Sequence, residues 1–280
     1  LQSNDLIALL GTPYYQSPNC LIYQGDCITL LKQMPPESIA LTVTSPPYNI
    51  GKAYETPLPL TDYLAWCETW LQAIHRITSP NGSFWLNLGY LPVPDRAKAL
   101  PIAYLLWDKI PFYFVQEIVW HYGAGVAGRY FFSPRNEKFL WYVKNSQDYI
   151  FNLDAVRDPN VKYPNQKKNG KLKVNPAGKN PGDVWHFPKV TSGQNRSSKE
   201  RTAHPAQFPL AVIERIIHAS SLPEQWILDP FIGSGSTAVA ALSLGRRVIG
   251  FDIKAEYCEM AATRIEKALT QPRQKLLFEG

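Results

Sequence analysis

Cysteine is scarce, and its placement excludes several chemistries. Cys20, Cys27, Cys67 and Cys258 are the four cysteines in 280 residues, and they form no Cys-x-x-Cys pair and no metal-ligand spacing with the five histidines. That pattern argues against a metal site and for a reduced intracellular protein. None of the four follows a proline. Long apolar runs are missing too. Charges and prolines interrupt every hydrophobic stretch, so neither a membrane span nor a secretory signal is expected. No segment repeats, and Leu1-Gln2-Ser3, without a methionine, reads as an added or processed end with no functional role.

What is present suits a packed core. The chain is 45% hydrophobic and 12% aromatic, long enough for one α/β domain with an insertion or for two smaller domains. Net charge is +6 but uneven. Between Arg157 and Arg201 stand 11 Lys and Arg against 3 Asp and Glu, a local charge of +8 that leaves −2 for the rest. A basic segment on a mildly acidic body fits a polyanion partner or a solvated lysine-rich loop.

Apolar patterning predicts strands over Leu21–Gln24, 38–45, 82–89, 114–120 and 137–143. Helices are expected from Cys27, over 61–80 with Asn81-Gly82 as a stop, and over Ala97–Asp108. After an irregular stretch at 155–203, rich in Pro, Gly, Asn and Lys, come a helix (209–220), a strand (225–231), a glycine turn, a helix (236–245), a strand (246–252) and a last helix (255–269). This alternation predicts an α/β fold: a mostly parallel sheet with helices on both faces, formed by 1–154 and 204–280, with 155–203 inserted.

Two motifs carry chemistry. In "LTVTSPPYNIG" a buried strand ends in Ser45-Pro46-Pro47-Tyr48. The prolines remove two backbone donors and hold the preceding residues extended, which fixes a hydroxyl, a carbonyl and an aromatic ring around one spot. In "ILDPFIGSGSTAVAALSLGRRVIGFD", Gly233 and Gly235 let backbone amides approach a ligand at a helix start. Asp252 follows Gly233 by 19 positions, close to the ~20 expected of a carboxylate that takes ribose hydroxyls. The third glycine of Gly-x-Gly-x-x-Gly is missing, with Ala238 in its place, which argues against a nucleotide-binding oxidoreductase.

With both motifs read, the chain resembles the amino-methyltransferases of DNA, of the class in which Ser/Asp-Pro-Pro-Tyr precedes Phe-x-Gly-x-Gly. "GDCITLLKQMPPESIALTVTSPPYNIG", "GSFWLNLG", "RNEKFLWYVKNSQDYIFN", "HPAQFPLAVIERIIHASS" and "DPFIGSGST" match that family in order. The resemblance implies S-adenosylmethionine as methyl donor and duplex DNA as substrate. It implies that Asp26 accepts from the adenine amino group, although Gly25-Asp26 before a helix is also an ordinary cap. It implies that Asp252 holds the ribose, and that Asp229, Phe231, Gly233, Ser234 and Gly235 bound the rest of the cofactor site. The insertion then falls where the family keeps target recognition, with Lys167, Lys168, Lys171, Lys173 and Arg196 on phosphates.

Such chemistry suits Ser-Pro-Pro-Tyr. An exocyclic amine has its lone pair delocalised into the base. If Ser45 Oγ and the Pro46 carbonyl accept its N–H protons, the nitrogen can pyramidalise toward the methyl group. Tyr48 is expected to stack on the flipped base. In the family, serine at the first position usually accompanies cytosine N4 and aspartate adenine N6, so Ser45 favours cytosine. C5 methylation, which needs a cysteine after a proline, is rejected. Adenine N6 methylation and a catalytically inactive DNA-binding relative are the alternatives. A monomer or weak dimer in a prokaryotic cytoplasm is expected, with a possible restriction endonuclease sharing the site. The histidines, His204 included, read as structural or solvated, and Trp185 as an anchor of the insertion. Gly123–Gly128 reads as a moving cover or a plain connector.

Overall fold

The computed structural model describes residues 1–52, 55–125, 127–191, 196 and 198–270. In chain order the elements are α1 (Ser3–Leu10), β1 (Tyr15–Ser17), β2 (Cys20–Gln24), α2 (Cys27–Gln33), β3 (Ile39–Thr44), α3 (Leu60–Ile77), β4 (Thr78–Leu88), β5 (Tyr90–Val93), β6 (Ala97–Pro101) and α4 (Ile102–Leu106). There follow β7 (Tyr113–His121), β8 (Asn136–Val143), β9 (Lys167–Lys168), β10 (Lys171–Leu172), β11 (Val184–His186), α5 (Leu210–Ser220), β12 (Trp226–Asp229), α6 (Ser236–Ser243), β13 (Arg247–Asp252) and α7 (Ala255–Thr270).

Nine strands form the main sheet in the order β1-β2-β13-β12-β3-β4-β8-β7-β11. Pairing is parallel from β2 through β4 and again between β7 and β11, while β1 and β8 run against their neighbours. The alternation of side chains along each strand divides the core. Leu21 and Tyr23 face one way with α1 to α4, whereas Cys20 and Ile22 face the other way with α5 to α7. The fold is therefore a mixed, mostly parallel sheet covered on both faces, as the sequence pattern predicts.

Three sequence expectations change. Residues 97–101 form a strand, and α4 covers only Ile102–Leu106. A helix over Ala97–Asp108 would have put Pro101 in its interior at a cost of ~3 kcal/mol. Instead Asp95 takes a positive φ of 58°, and the chain doubles back as a β5–β6 hairpin. Helix α3 ends at Ile77, before Asn81-Gly82, because Pro80 disfavours helical geometry at Ser79 and Thr78 already pairs with Ile39. The 155–203 stretch, read as irregular, holds a hairpin in which Asn169 and Gly170 both have positive φ, the turn that Asn-Gly favours.

It also supplies β11, a parallel edge strand on β7. Trp185 of β11 is buried and stacks 5.8 Å from Trp85, which stacks 5.1 Å from Trp141 on its own sheet. Trp185 Nε1 donates to the Gly182 carbonyl, so the ring is satisfied as well as packed. The Leu1 carbonyl accepts from Trp226 Nε1 at the start of the interior strand β12. Trp185→Ala removes a buried ring whose loss is expected to lower stability by about 3 kcal/mol. Urea unfolding monitored by circular dichroism checks this, and a change below about 1 kcal/mol contradicts the anchoring role.

Candidate active site

Strand order places the site. The chain crosses the sheet in opposite senses on either side of the β12–β3 neighbourhood, and a crevice opens beyond the carboxyl ends there. A cavity of about 450 Å³ occupies it. Its walls are the ends of β2 (Gly25, Asp26), β13 (Asp252), β12 (Asp229 to Ser234), β3 (Ser45 to Tyr48) and β4 (Asn87). Two motifs some 190 residues apart thus share one cavity.

On the β12 side, buried Asp229 closes the floor. Its Oδ1 accepts from Thr44 Oγ1 (2.7 Å) and from the Phe231 amide (3.2 Å), and its Oδ2 accepts from Thr237 Oγ1 (2.6 Å). Asp229 thereby ties β12 to β3 and to α6. Burial raises its carboxyl from the ordinary 3.8 to about 6, although these donors pull it down. Asp252 accepts from the Gly233 amide (3.1 Å) and the Lys254 amide (3.0 Å), one per oxygen, and burial raises its pKa also. Each oxygen keeps lone-pair capacity toward the cavity. Asp26 lines the cavity and also caps α2, its Oδ1 accepting from Thr29 N and Oγ1 at 2.9 Å each. The capping role of Asp26 is thus present in the structure, and the same residue borders the cavity.

Phe231, Gly233 and Ser234 face the cavity. Gly235 does not. It caps α6 in the left-handed region (φ +77°), and its Cα presses on Ala261, where an added Cβ would come within 3.0 Å. Gly235 forms the turn that carries Gly233 and Ser234 to the cavity.

On the β3 side, Ser45 Oγ lies 2.8 Å from the Tyr48 hydroxyl, which donates to Asn87 Oδ1 at 2.7 Å. Asn87 Nδ2 donates to the Lys138 carbonyl, so its oxygen is the atom turned to Tyr48. A phenol has one proton, and it is given to Asn87. Ser45 must then donate to Tyr48, which leaves the serine's lone pairs as its remaining capacity. The Tyr48 ring lies against Gly89, where an added Cβ would come within 2.6 Å of Cε2. Tyr63 of α3 donates to the Pro47 carbonyl at 2.9 Å and pins the tip.

The sequence reading missed several wall residues. Asn87 stands as one polar residue at the end of an apolar strand, a signal easily read as a strand terminus. His204, expected to be structural or solvated, lines the cavity, packed on Tyr257 (4.5 Å) and against Gly233, and burial lowers its pKa. Trp120, Glu137 and Lys189 complete the far wall, with a Lys189–Glu137 ion pair of 2.9 Å. Lys167, Lys168, Lys171, Lys173 and Arg196 are exposed and none lines the cavity. The four cysteines are buried, which pushes their thiols to about 12 and removes them as nucleophiles. Among the described residues no His, Cys, Asp and Glu group could hold a metal ion, and no helix is long and apolar enough to cross a membrane.

Comparison with known proteins bears on the family and the fold. The N6_N4_Mtase family, described as DNA methylase, matches residues 39–263. The Type II methyltransferase M.ScaI of Streptomyces caespitosus is 62% identical over 262 residues, covering 94% of this chain and 86% of that protein. Among solved structures, the PvuII DNA methyltransferase (cytosine-N4-specific) is similar in fold with a TM-score of 0.71 at 21% identity, covering 91% of this chain and 89% of that one. M1.HpyAVI in its SAM complex gives 0.57 at 24% identity, covering 88% and 98%.

The Asp229 carboxyl makes the site testable without substrate. A raised folded-state pKa means that the folded chain holds the proton more tightly than the unfolded one. The stability this contributes is full below about 4 and lost as pH rises through about 6. The stability of the parent relative to Asp229→Asn is therefore expected to fall between about pH 4 and pH 7. A difference independent of pH, measured by denaturant titration, contradicts the assignment.

Proposed function

The chain belongs to the N6/N4 DNA methylase family, and from that premise we propose that it transfers a methyl group from S-adenosylmethionine to the exocyclic N4 of a cytosine flipped out of duplex DNA. The observation that supports transfer to an exocyclic amine is the acceptor polarity of Ser45 in the cavity that Asp252 also lines, and the choice of cytosine rests on serine, not aspartate, at the first position of Ser-Pro-Pro-Tyr.

The cavity fits the donor. Asp26 and Asp252 offer carboxylates for the adenine amine and the ribose hydroxyls, Phe231 and Tyr257 offer apolar surface, and the Gly233–Ser234 backbone allows close approach. S-adenosylmethionine, when bound there, supplies an electrophilic methyl on a positively charged sulfur. Ser45 Oγ and the Pro46 carbonyl accept from the two N–H groups of the target amine and draw its lone pair out of conjugation. Because the prolines and Tyr63 hold these acceptors in place beforehand, little reorganisation accompanies the reaction. As the N–C bond forms the methyl–sulfur bond breaks, the sulfur would leave as a neutral thioether, and the amine returns to neutrality by losing one N–H proton to water, so no covalent enzyme intermediate arises. The flipped ring stacks on Tyr48, whose hydroxyl meanwhile orients Ser45.

Residues 155–203 form the target-recognition region of this reading, with 1–154 and 204–280 as the catalytic domain. In the hairpin, Lys168 sits directly opposite Lys171. Like charges in that position are unfavourable until an anion lies between or above them. Lys167, Lys168, Lys171, Lys173 and Arg196 are assigned to phosphates. A monomer or weak dimer acting beside a restriction endonuclease that shares its target without direct contact is the biological setting proposed.

Two measurements follow. Plasmid DNA incubated with the protein and S-adenosylmethionine is digested, and its nucleosides are identified by mass spectrometry. N4-methylcytosine is expected. N6-methyladenine would keep the mechanism and overturn the weight placed on Ser45, while cofactor binding without any methylated base would favour an inactive DNA-binding relative. Separately, duplex affinity is expected to fall with salt at a slope near −0.9 per neutralised phosphate, and replacing the four lysines by alanine to flatten it by about 3 to 4. An unchanged slope contradicts their assignment.

A further inference from the structure

The connection between β7 and β8 carries three consecutive aromatic side chains turned to solvent. Phe132 is fully exposed, Tyr130 is 83% exposed and Phe131 50%. A contiguous aromatic patch of this kind on a water-facing loop marks a surface that meets a partner. The tip is built to present it. The Gly128 amide donates to Ser133 Oγ at 2.8 Å and closes the turn, while the Tyr122 amide donates to the Arg135 carbonyl at its base.

Position and charge identify the partner. Just below the loop, Trp120 at the end of β7 and Glu137 at the start of β8 line the cavity, so the loop rises from the rim of the site. Cations flank the rings: Lys98 Nζ lies 4.2 Å from the Phe131 centroid, and the Arg129 guanidinium lies 5.2 Å from that of Tyr130. Lys98 comes from the β5–β6 hairpin, so two separate excursions of the chain meet at this point. Flat apolar rings between positive charges complement stacked bases between phosphates.

We propose that Phe132 is a stacking wedge: it enters the duplex beside the target and fills the space of the extruded base, while Arg129 and Lys98 hold the adjacent phosphates. This inference rests on the methyl-transfer reading above and adds a surface that stabilises the flipped state from the DNA side. Tyr48 holds the base inside the cavity. Phe132 holds open the gap the base has left.

Because the Phe132 side chain is fully exposed, its replacement tests binding and not folding. Parent, Phe132→Ala and Phe132→Trp are compared for the initial rate of methyl incorporation into duplex plasmid at subsaturating DNA, with thermal midpoint and S-adenosylmethionine affinity as controls. Phe132→Ala is expected to lower kcat/KM for DNA at least tenfold with both controls unchanged, and Phe132→Trp to stay within about threefold of the parent. A methylating parent matched within twofold by Phe132→Ala overturns the wedge alone, as does a Phe132→Ala loss that tryptophan fails to prevent. A parent that methylates no DNA overturns the premise and the wedge together.

Discussion

The direction of one hydroxyl hydrogen organises the catalytic side of this molecule. Ser45 can serve an amine only if its own proton points elsewhere, and it does so because Tyr48 has already given its proton to Asn87. Asn87 in turn is oriented by the Lys138 carbonyl on the neighbouring strand. The chain of donors therefore ends on a backbone atom of β8, and the register of Leu88 opposite Lys138 sets the chemistry of a serine on β3.

The remaining architecture brings that serine to the cavity that the glycine turn also lines. Parallel strands place their carboxyl ends on one edge, and the order β13-β12-β3-β4 sets the glycine turn beside the Pro-Pro tip. Asp229 ties the two halves, since its carboxylate is shared between Thr44 of β3 and Thr237 of α6. A fully buried carboxylate is costly even with three donors, as its raised pKa reports. Placing it between the two halves of the site exchanges stability for a fixed distance between them.

Much of this was legible in the residues. Mostly apolar runs marked β2, β3, β12 and β13, and glycine with a downstream acid marked the turn that borders the cavity. Other features were written too weakly. Val184–His186 is three residues long, too short for any period to show, yet it adds an edge strand and brings Lys189 to the cavity. Residues 97–101 carry a pattern compatible with helix or strand, and Pro101 together with the return at Asp95 decides. Asn169-Gly170 was a hairpin signal hidden among lysines. The roles of Asn87 and His204 depend on contacts between distant segments, which no local pattern encodes.

The central claim is that Ser45 acts on the amine and Asp252 on the cofactor, across one cavity. Calorimetric titration of S-adenosylmethionine into Ser45→Ala and Asp252→Ala, paired with single-turnover methylation of DNA, separates the two. The account predicts that Ser45→Ala binds the cofactor as the parent does but transfers methyl about a hundredfold more slowly, and that Asp252→Ala loses at least about tenfold in cofactor affinity. A Ser45→Ala protein that methylates DNA at the parent rate would contradict it.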